Sequence, residues 1–168
     1  MEVQLGAVGE LSDGSPDWDE CAIAGFVQWN ENLGGTGVSF NANRNAARAP
    51  ALQDGVNTVA FADDVFGTPF GEQTLAVANT WFTLKDGVDE ILESDVLFNT
   101  GKAWNCYRGS TQHGWDGATD LQRVAIHEFG HVLGLGHPDE ATPPQAVDAI
   151  MNASVSDVDR LRLDDVLG

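Results

Sequence analysis

The stretch HEFGHVLGLGH at residues 127–137 constrains this chain more than any other feature, because it gathers three of the four histidines and a glutamate into eleven residues. On a helix, His127 and His131 lie four residues apart on one face, a turn above one another, so both rings can reach one ion. Glu128 stands roughly 100° around the helix from His127, near such an ion without having to bind it. Ala125, Phe129 and Val132 turn to the far side, leaving one face for metal and one for the core. A helix that simply continued would carry His137 roughly 15 Å past His127, too far to share the ion. The chain must therefore turn back, and Gly134 and Gly136 can take left-handed conformations closed to bulkier residues. Three neutral imidazoles leave one tetrahedral position for water, the arrangement of a catalytic rather than a structural zinc. Water in that position is acidic near neutral pH, and Glu128 can take its proton. A lone HExxH occurs in helices by chance; the glycine and third histidine at fixed offsets make zinc the reading.

The rest of the chain has to build a fold around that helix. Its 168 residues suit one domain, and 42% hydrophobic residues with five Trp and eight Phe supply a core. A net charge of -18 argues against binding nucleic acid or an anionic membrane through a basic patch. No apolar run has the length of a membrane span, and the start MEVQLGAVGELSDG lacks the charged and apolar regions of a signal peptide. The chain thus reads as cytosolic or as a trimmed mature domain. Cys21 and Cys106, the only cysteines, can close one disulfide in an oxidising compartment or sit as two small buried thiols. The disulfide is the expectation if the chain is secreted.

Residues 16–33 space Trp18, Ala22, Phe26, Trp29 and Leu33 as the stripe of an amphipathic helix, which Gly34, Gly35 and Gly37 end. The run NANRNAARAPALQDG reads as loop. After it VNTVAFA, TLAVANTWFTL and EILESDVLFN read as strands, the last two joined through an Asp86-Gly87 turn. Residues 101–117, rich in Gly, Asn and Trp, read as irregular connection. The histidine helix is expected to begin near Thr119 with Gln122 as its capping-box partner. The tail SDVDRLRLDDVLG reads as a last helix with acidic residues in its first turn.

The signature formed by His127, Glu128, His131, Gly134 and His137 resembles that of the metzincin zinc endopeptidases, HExxHxxGxxH. Metzincins also carry a methionine turn beneath the metal, and Met151 in DAIMNAS is the candidate, fourteen residues after His137. Within that group the chain is most similar to the matrixins, the matrix metalloproteinase type. DLQRVAIHEFGHVLGLGH resembles their active-site helix, ESDVLFN the strand before it, and LRLDDVLG their closing helix with its acidic pair, Asp164 and Asp165. The resemblance implies a mixed α+β zincin fold: a twisted, mostly parallel five-stranded sheet with one antiparallel edge strand, and three helices. It implies one catalytic domain over residues 1–168, with an N-terminal subdomain to about residue 137 and a C-terminal one over 138–168. Leu75, Ala76, Val77 and Ala78 would belong to the edge strand that binds extended peptide by strand addition.

The same resemblance implies a secreted, monomeric endopeptidase holding one catalytic zinc on His127, His131 and His137, with Glu128 as general base. The alternative is a zinc-holding binding or inhibitory module without turnover, which would need no base at Glu128. Matrixins commonly hold a second, structural zinc on further histidines; here only His113 remains, so that site is expected to be absent. Calcium is a weaker expectation. ADDVFGTPFGEQ and TLKDGVDE offer oxygen ligands but no calcium-loop spacing, and read rather as ordinary turn acids. Pro138 stands where matrixins often have serine. No PRCGxPD-like inhibitory segment is present, as expected of a mature catalytic domain or a subclass without that device. The pocket wall after Met151, residues 152–155, offers no discriminating charge, and the one tyrosine, Tyr107, is not expected at the metal.

Overall fold

The computed structural model describes residues 1–168 apart from 8, 10, 45–47, 112–116, 163–164 and 167–168. Its strands are β1 (Glu2–Val3), β2 (Thr58–Ala62), β3 (Asp64–Val65), β4 (Thr68–Pro69), β5 (Ala76–Lys85), β6 (Val88–Asn99), β7 (Trp104–Asn105) and β8 (Thr119–Asp120). The α-helices are α1 (Trp18–Asn32) and α2 (Leu121–Val132). The main sheet has the order β1-β2-β6-β5, with β1, β2 and β6 parallel and β5 antiparallel to β6 at the edge. The buried end of β6, ESDVLFN, is covered throughout, which is why it shows no apolar-polar alternation.

Helix α1 begins where Asp17, in extended conformation, accepts the Glu20 N–H at 2.8 Å. Its stripe of Ala22, Phe26 and Trp29 is buried against α2. The Phe26 ring lies 4.3 Å from Phe129 and stacks on Phe40 at 4.9 Å, and the Trp29 indole N–H donates to the Ile126 carbonyl at 2.9 Å. The histidine helix is therefore gripped on its core face by aromatic packing and a directional hydrogen bond. A disulfide joins Cys21 on α1 to Cys106, just after β7, with Cα atoms 6.2 Å apart. Strands β5 and β6 meet at Asp86 and Gly87, with φ of 52° and 83°, the paired positive angles of a two-residue hairpin turn.

Three expectations are corrected. The sheet has four strands; the fifth is reduced to one parallel bridge, Glu2 to Asn43, flanked by hydrogen bonds of 2.9 Å. The segment around it carries Asn41 and Asn43, poor strand formers, which limits the pairing. The tail does not begin a helix at residue 156: residues 156–162 are irregular with bends at Asp157 and Arg160, and helical structure is described only at Asp165 and Val166. There the Leu161 N–H goes to the Gln28 side chain and the Arg162 N–H to the Asp165 carboxylate, so tertiary partners replace helical ones. Among the described residues the α-helices thus number two rather than three. The capping box at Thr119 and Gln122 does not form, because Thr119 pairs with Trp104 between β8 and β7 while Asp120 takes the N-cap. Within the connection expected to be irregular, residues 101–117, the two-residue β7 is the one strand described.

Candidate metal centre

Helix α2 ends in a Schellman motif. Gly134 adopts φ 89°, its N–H donates to the His131 carbonyl at 2.9 Å, and the Leu135 N–H donates to Gly130 at 3.0 Å. This one left-handed residue reverses the chain; Gly136, expected to share the task, has no positive φ. The reversal returns His137 to the other two rings. The Nε2 atoms of His127 and His131 are 3.0 Å apart, those of His131 and His137 3.1 Å, and those of His137 and His127 3.2 Å.

The opposite side of each ring fixes its proton. His127 Nδ1 lies 2.8 Å from the Ile150 carbonyl, His131 Nδ1 2.8 Å from the Leu135 carbonyl, and His137 Nδ1 2.8 Å from a Glu140 carboxylate oxygen. All three partners are acceptors, so each ring carries its proton on Nδ1 and turns a bare lone pair inward. Three lone pairs facing one another at these distances repel unless a cation lies among them. Bonds of about 2.0–2.1 Å to zinc put tetrahedral nitrogens roughly 3.4 Å apart, close to the triangle found. Burial pushes His127 down to about 4 and lowers His131 as well, which keeps these two rings neutral for coordination. The donor set therefore fits zinc, with acceptors behind each ring of the kind that orient metal-binding histidines.

Met151 and its neighbours support this triad from below. The Ile150 carbonyl that fixes His127 is followed by the buried Met151, whose N–H donates to Asp165 Oδ1 at 3.0 Å. Asp165 is itself buried, and its Oδ2 accepts the Arg162 N–H at 2.8 Å. A carboxylate from the tail thus holds the turn, and the turn holds a ligand.

Glu128 is buried beside the triad, and burial pushes its carboxyl up to about 8 against a hydrogen bond from the Ala78 backbone. Leu75, Ala76, Val77 and Ala78 line one side of a cleft of about 750 Å³ that also contains Glu128 and the three histidines. Residues 152–156 line the same cleft. Tyr107 points elsewhere, its hydroxyl donating to the Ala118 carbonyl at 3.4 Å. Asp63 and Asp64, in the stretch read as turn acids, accept hydrogen bonds from the Thr100 hydroxyl and the Gly67 N–H. His113 and Asp164 lie outside the described residues.

Two residues of the site escaped the sequence reading. Arg123 lines the cleft at 2% exposure, with its guanidinium donating to the Ser156 carbonyl at 2.8 Å and to the Gly109 carbonyl at 2.5 Å. Residues 152–155 carry no charge, as expected; the guanidinium beside them comes from the helix and lies 3.8 Å from the buried Asp120 carboxylate. The available signal was its position four residues before His127, on the same helical face. Glu140 orients His137, and its place three residues further on was the corresponding clue.

The family model for Peptidase M10, Matrixin, matches residues 18–168. Among curated proteins, human Stromelysin-3 is 47% identical over 49 residues, which is 29% of this chain and 9% of that protein. Human Matrix metalloproteinase-25 is 38% identical over 73 residues, 43% of this chain and 12% of the relative. Human Matrix metalloproteinase-17 is 37% identical over 76 residues, 45% and 11% respectively. The chain thus matches only about a tenth of the length of these relatives.

Proposed function

Because the chain belongs to the matrixin family, we propose that it is a zinc-dependent endopeptidase cutting extended polypeptides. One observation carries the reading: three imidazoles with outward-committed protons converge their lone pairs within 3.2 Å, beside a buried carboxylate and an open sheet edge. His127, His131 and His137 would hold the ion. Zinc in such a site supplies Lewis acidity, polarising a carbonyl oxygen and lowering the pKa of water in its open position toward about 7.

This chain's own residues do the rest. Leu75 and the start of β5 at residues 76–78 bind the substrate backbone as an added strand and present one peptide bond to the triad. Glu128 accepts the proton of the attacking water and returns it to the leaving amine, its burial keeping competing solvent away. A cation held by the three histidines would oppose the rise that burial imposes on the Glu128 carboxyl. Arg123 and residues 152–156 receive the substrate side chain that enters the cleft.

Residues to about 137 supply the sheet, both helices and one wall, and those from Pro138 supply the other, so we read two subdomains flanking one cleft. Ligands and base all come from a single chain, which supports action as a monomer. No helix among the described residues is long and apolar enough to cross a membrane. The Cys21–Cys106 disulfide supports function in an oxidising, extracellular setting.

Incubating the protein with denatured casein, with and without 1,10-phenanthroline and after zinc is restored, tests the reading. Internal cleavage that the chelator abolishes and zinc restores is expected. Stoichiometric zinc without cleavage would leave a zinc-holding binding module instead.

A further inference from the structure

Strand β5 does not stop at the cleft. It continues to Lys85 as one arm of a two-stranded ribbon with β6, and its outer edge has no strand partner among the described residues. Successive side chains on a strand point to opposite faces. Val77, Asn79 and Trp81 line a groove with Phe66 and Phe70 on one face. Ala76 and Ala78, on the other, lie beside the metal helix, and Thr80, Phe82 and Leu84 follow on that same face.

Phe82 stands directly opposite Ile91. Ile91 Cδ1 in turn lies 3.7 Å from where a Cβ on Gly134 would be, so this face of the ribbon borders the turn that delivers His137. The ladder slips between Trp81 and Phe82, which leaves Leu92 as the extra residue of β6 opposite that step. Phe82 is 63% exposed, Leu84 72% and Leu92 59%. Single exposed apolar side chains are ordinary, but a row of them along an open strand edge is what folded chains usually cover or charge.

We propose that the ribbon is a second substrate-binding segment: the polypeptide that adds to β5 beside Glu128 continues along residues 79–85 and lays apolar side chains on Phe82, Leu84 and Ile91. This rests on the endopeptidase reading above. Continuity selects the occupant, since one strand, one face and one row of backbone groups run from the cleft to the ribbon tip. Antiparallel addition is the more stable pairing per residue. Because β5 runs from the cleft toward the tip, it places the substrate residues that precede the cut bond on the ribbon. Ala78 and Leu84 are six residues apart, roughly 20 Å in extended chain, so recognition reaches about six positions before the bond. The fitting sequence alternates apolar residues with polar ones. The tip carries Asp86, Asp89 and Glu90 against a single Lys85, so a basic residue at the far end complements it.

Two quenched fluorescent peptides test this with the zinc-loaded protein. Both contain one cut site found in denatured casein; the second adds a segment before it with leucine at alternate positions and lysine at its start. The extended peptide is expected to gain about tenfold or more in kcat/KM. That ratio should collapse toward one in the double variant Phe82→Ser, Leu84→Ser. It should persist in Val88→Ser, on the opposite face of the ribbon. Equal kcat/KM for the two peptides, a ratio surviving the double variant, or a gain only when the same segment is moved after the cut bond would each overturn the proposal. So would sedimentation showing that the unaltered chain dimerises and that the double variant does not. Cleavage of neither peptide, nor of casein, would instead remove the endopeptidase reading on which it rests.

Discussion

The Met151 thioether lies against Gly130, in the last turn of α2, with no room between them for even a methyl group. A Cβ built on Gly130 would press into the sulfur, stand 2.8 Å from the Met151 methyl and 3.1 Å from Trp29 Cζ2. The turn below the metal and the helix that carries two of its ligands are therefore packed at glycine distance.

This contact decides the sign of a substitution that helix propensity would misjudge. Gly130→Ala should gain about 1 kcal/mol from propensity alone. Met151 and Trp29 are both buried, however, so neither can yield cheaply, and overpacking of this kind costs about 1–3 kcal/mol. We expect a net loss in urea denaturation together with weaker zinc retention, as His127 and His131 shift. A stabilised variant with unchanged zinc affinity would contradict the packing argument.

Glu128→Gln keeps the shape of the side chain while removing its basicity. Loss of a positioned general base costs about 10²- to 10⁴-fold in rate, so activity should fall by that much while bound zinc, measured by elemental analysis, stays at one per chain. Tyr107→Phe should change kcat little, because that hydroxyl is spent on Ala118. Near-normal turnover in the glutamine variant, or an equal fall in the phenylalanine one, would reassign the proton-handling group.

Much of this site was legible because its causes are local. The four-residue spacing of His127 and His131 and the glycine that reverses the chain before His137 act within one helix and its end. The edge-strand place of residues 75–78 was implied by the family resemblance, not by their pattern, since Leu-Ala-Val-Ala shows no alternation. Arg123 was not legible, because its role depends on the Gly109 and Ser156 carbonyls brought to it from distant segments. The same cause undid the capping box, where pairing with Trp104 claimed Thr119, and the tail helix, where Gln28 and Asp165 claimed backbone donors. Local propensity failed wherever a tertiary partner offered the backbone a better bond.

The Cys21–Cys106 bridge closes a separation of 85 residues between α1 and the strand leading toward α2. On the chain-entropy account a loop of that size is worth about 4.5 kcal/mol. Cys21→Ala with Cys106→Ala should lower stability by about that amount in urea, and unaltered protein in reductant should approach the same midpoint. Free thiols titrated in the unreduced, unfolded chain should be absent; finding two would remove the bridge.

Asp95 allows a stability prediction with a defined pH window. It is fully buried between β2 and β5; Oδ1 accepts the Thr58 N–H at 2.9 Å, and Oδ2 has no partner among the described residues. Burial pushes the carboxyl up to about 6 from an ordinary 3.8, with Glu93 and Asp54 adding repulsion. Between those two values the folded chain holds a proton that the unfolded chain has released. Stability from this group is therefore fully present below about 4 and is lost as pH rises through about 6. Asp95→Asn keeps an acceptor for Thr58 and carries no charge to desolvate. Against it stands an amide N–H₂ where Oδ2 was, a buried donor costing about 1–3 kcal/mol if unpaired. The ionised carboxylate costs on the order of 3 kcal/mol at neutral pH and already leaves Oδ2 unpaired, so the charge outweighs the donor. The variant should be more stable than the parent at pH 8 by about 1–2 kcal/mol, and the advantage should vanish or reverse near pH 4. Comparing the two proteins at each pH cancels effects they share, including zinc release and the titration of Asp120. Urea midpoints that differ by the same amount at both pH values would mean that Asp95 does not titrate in this window.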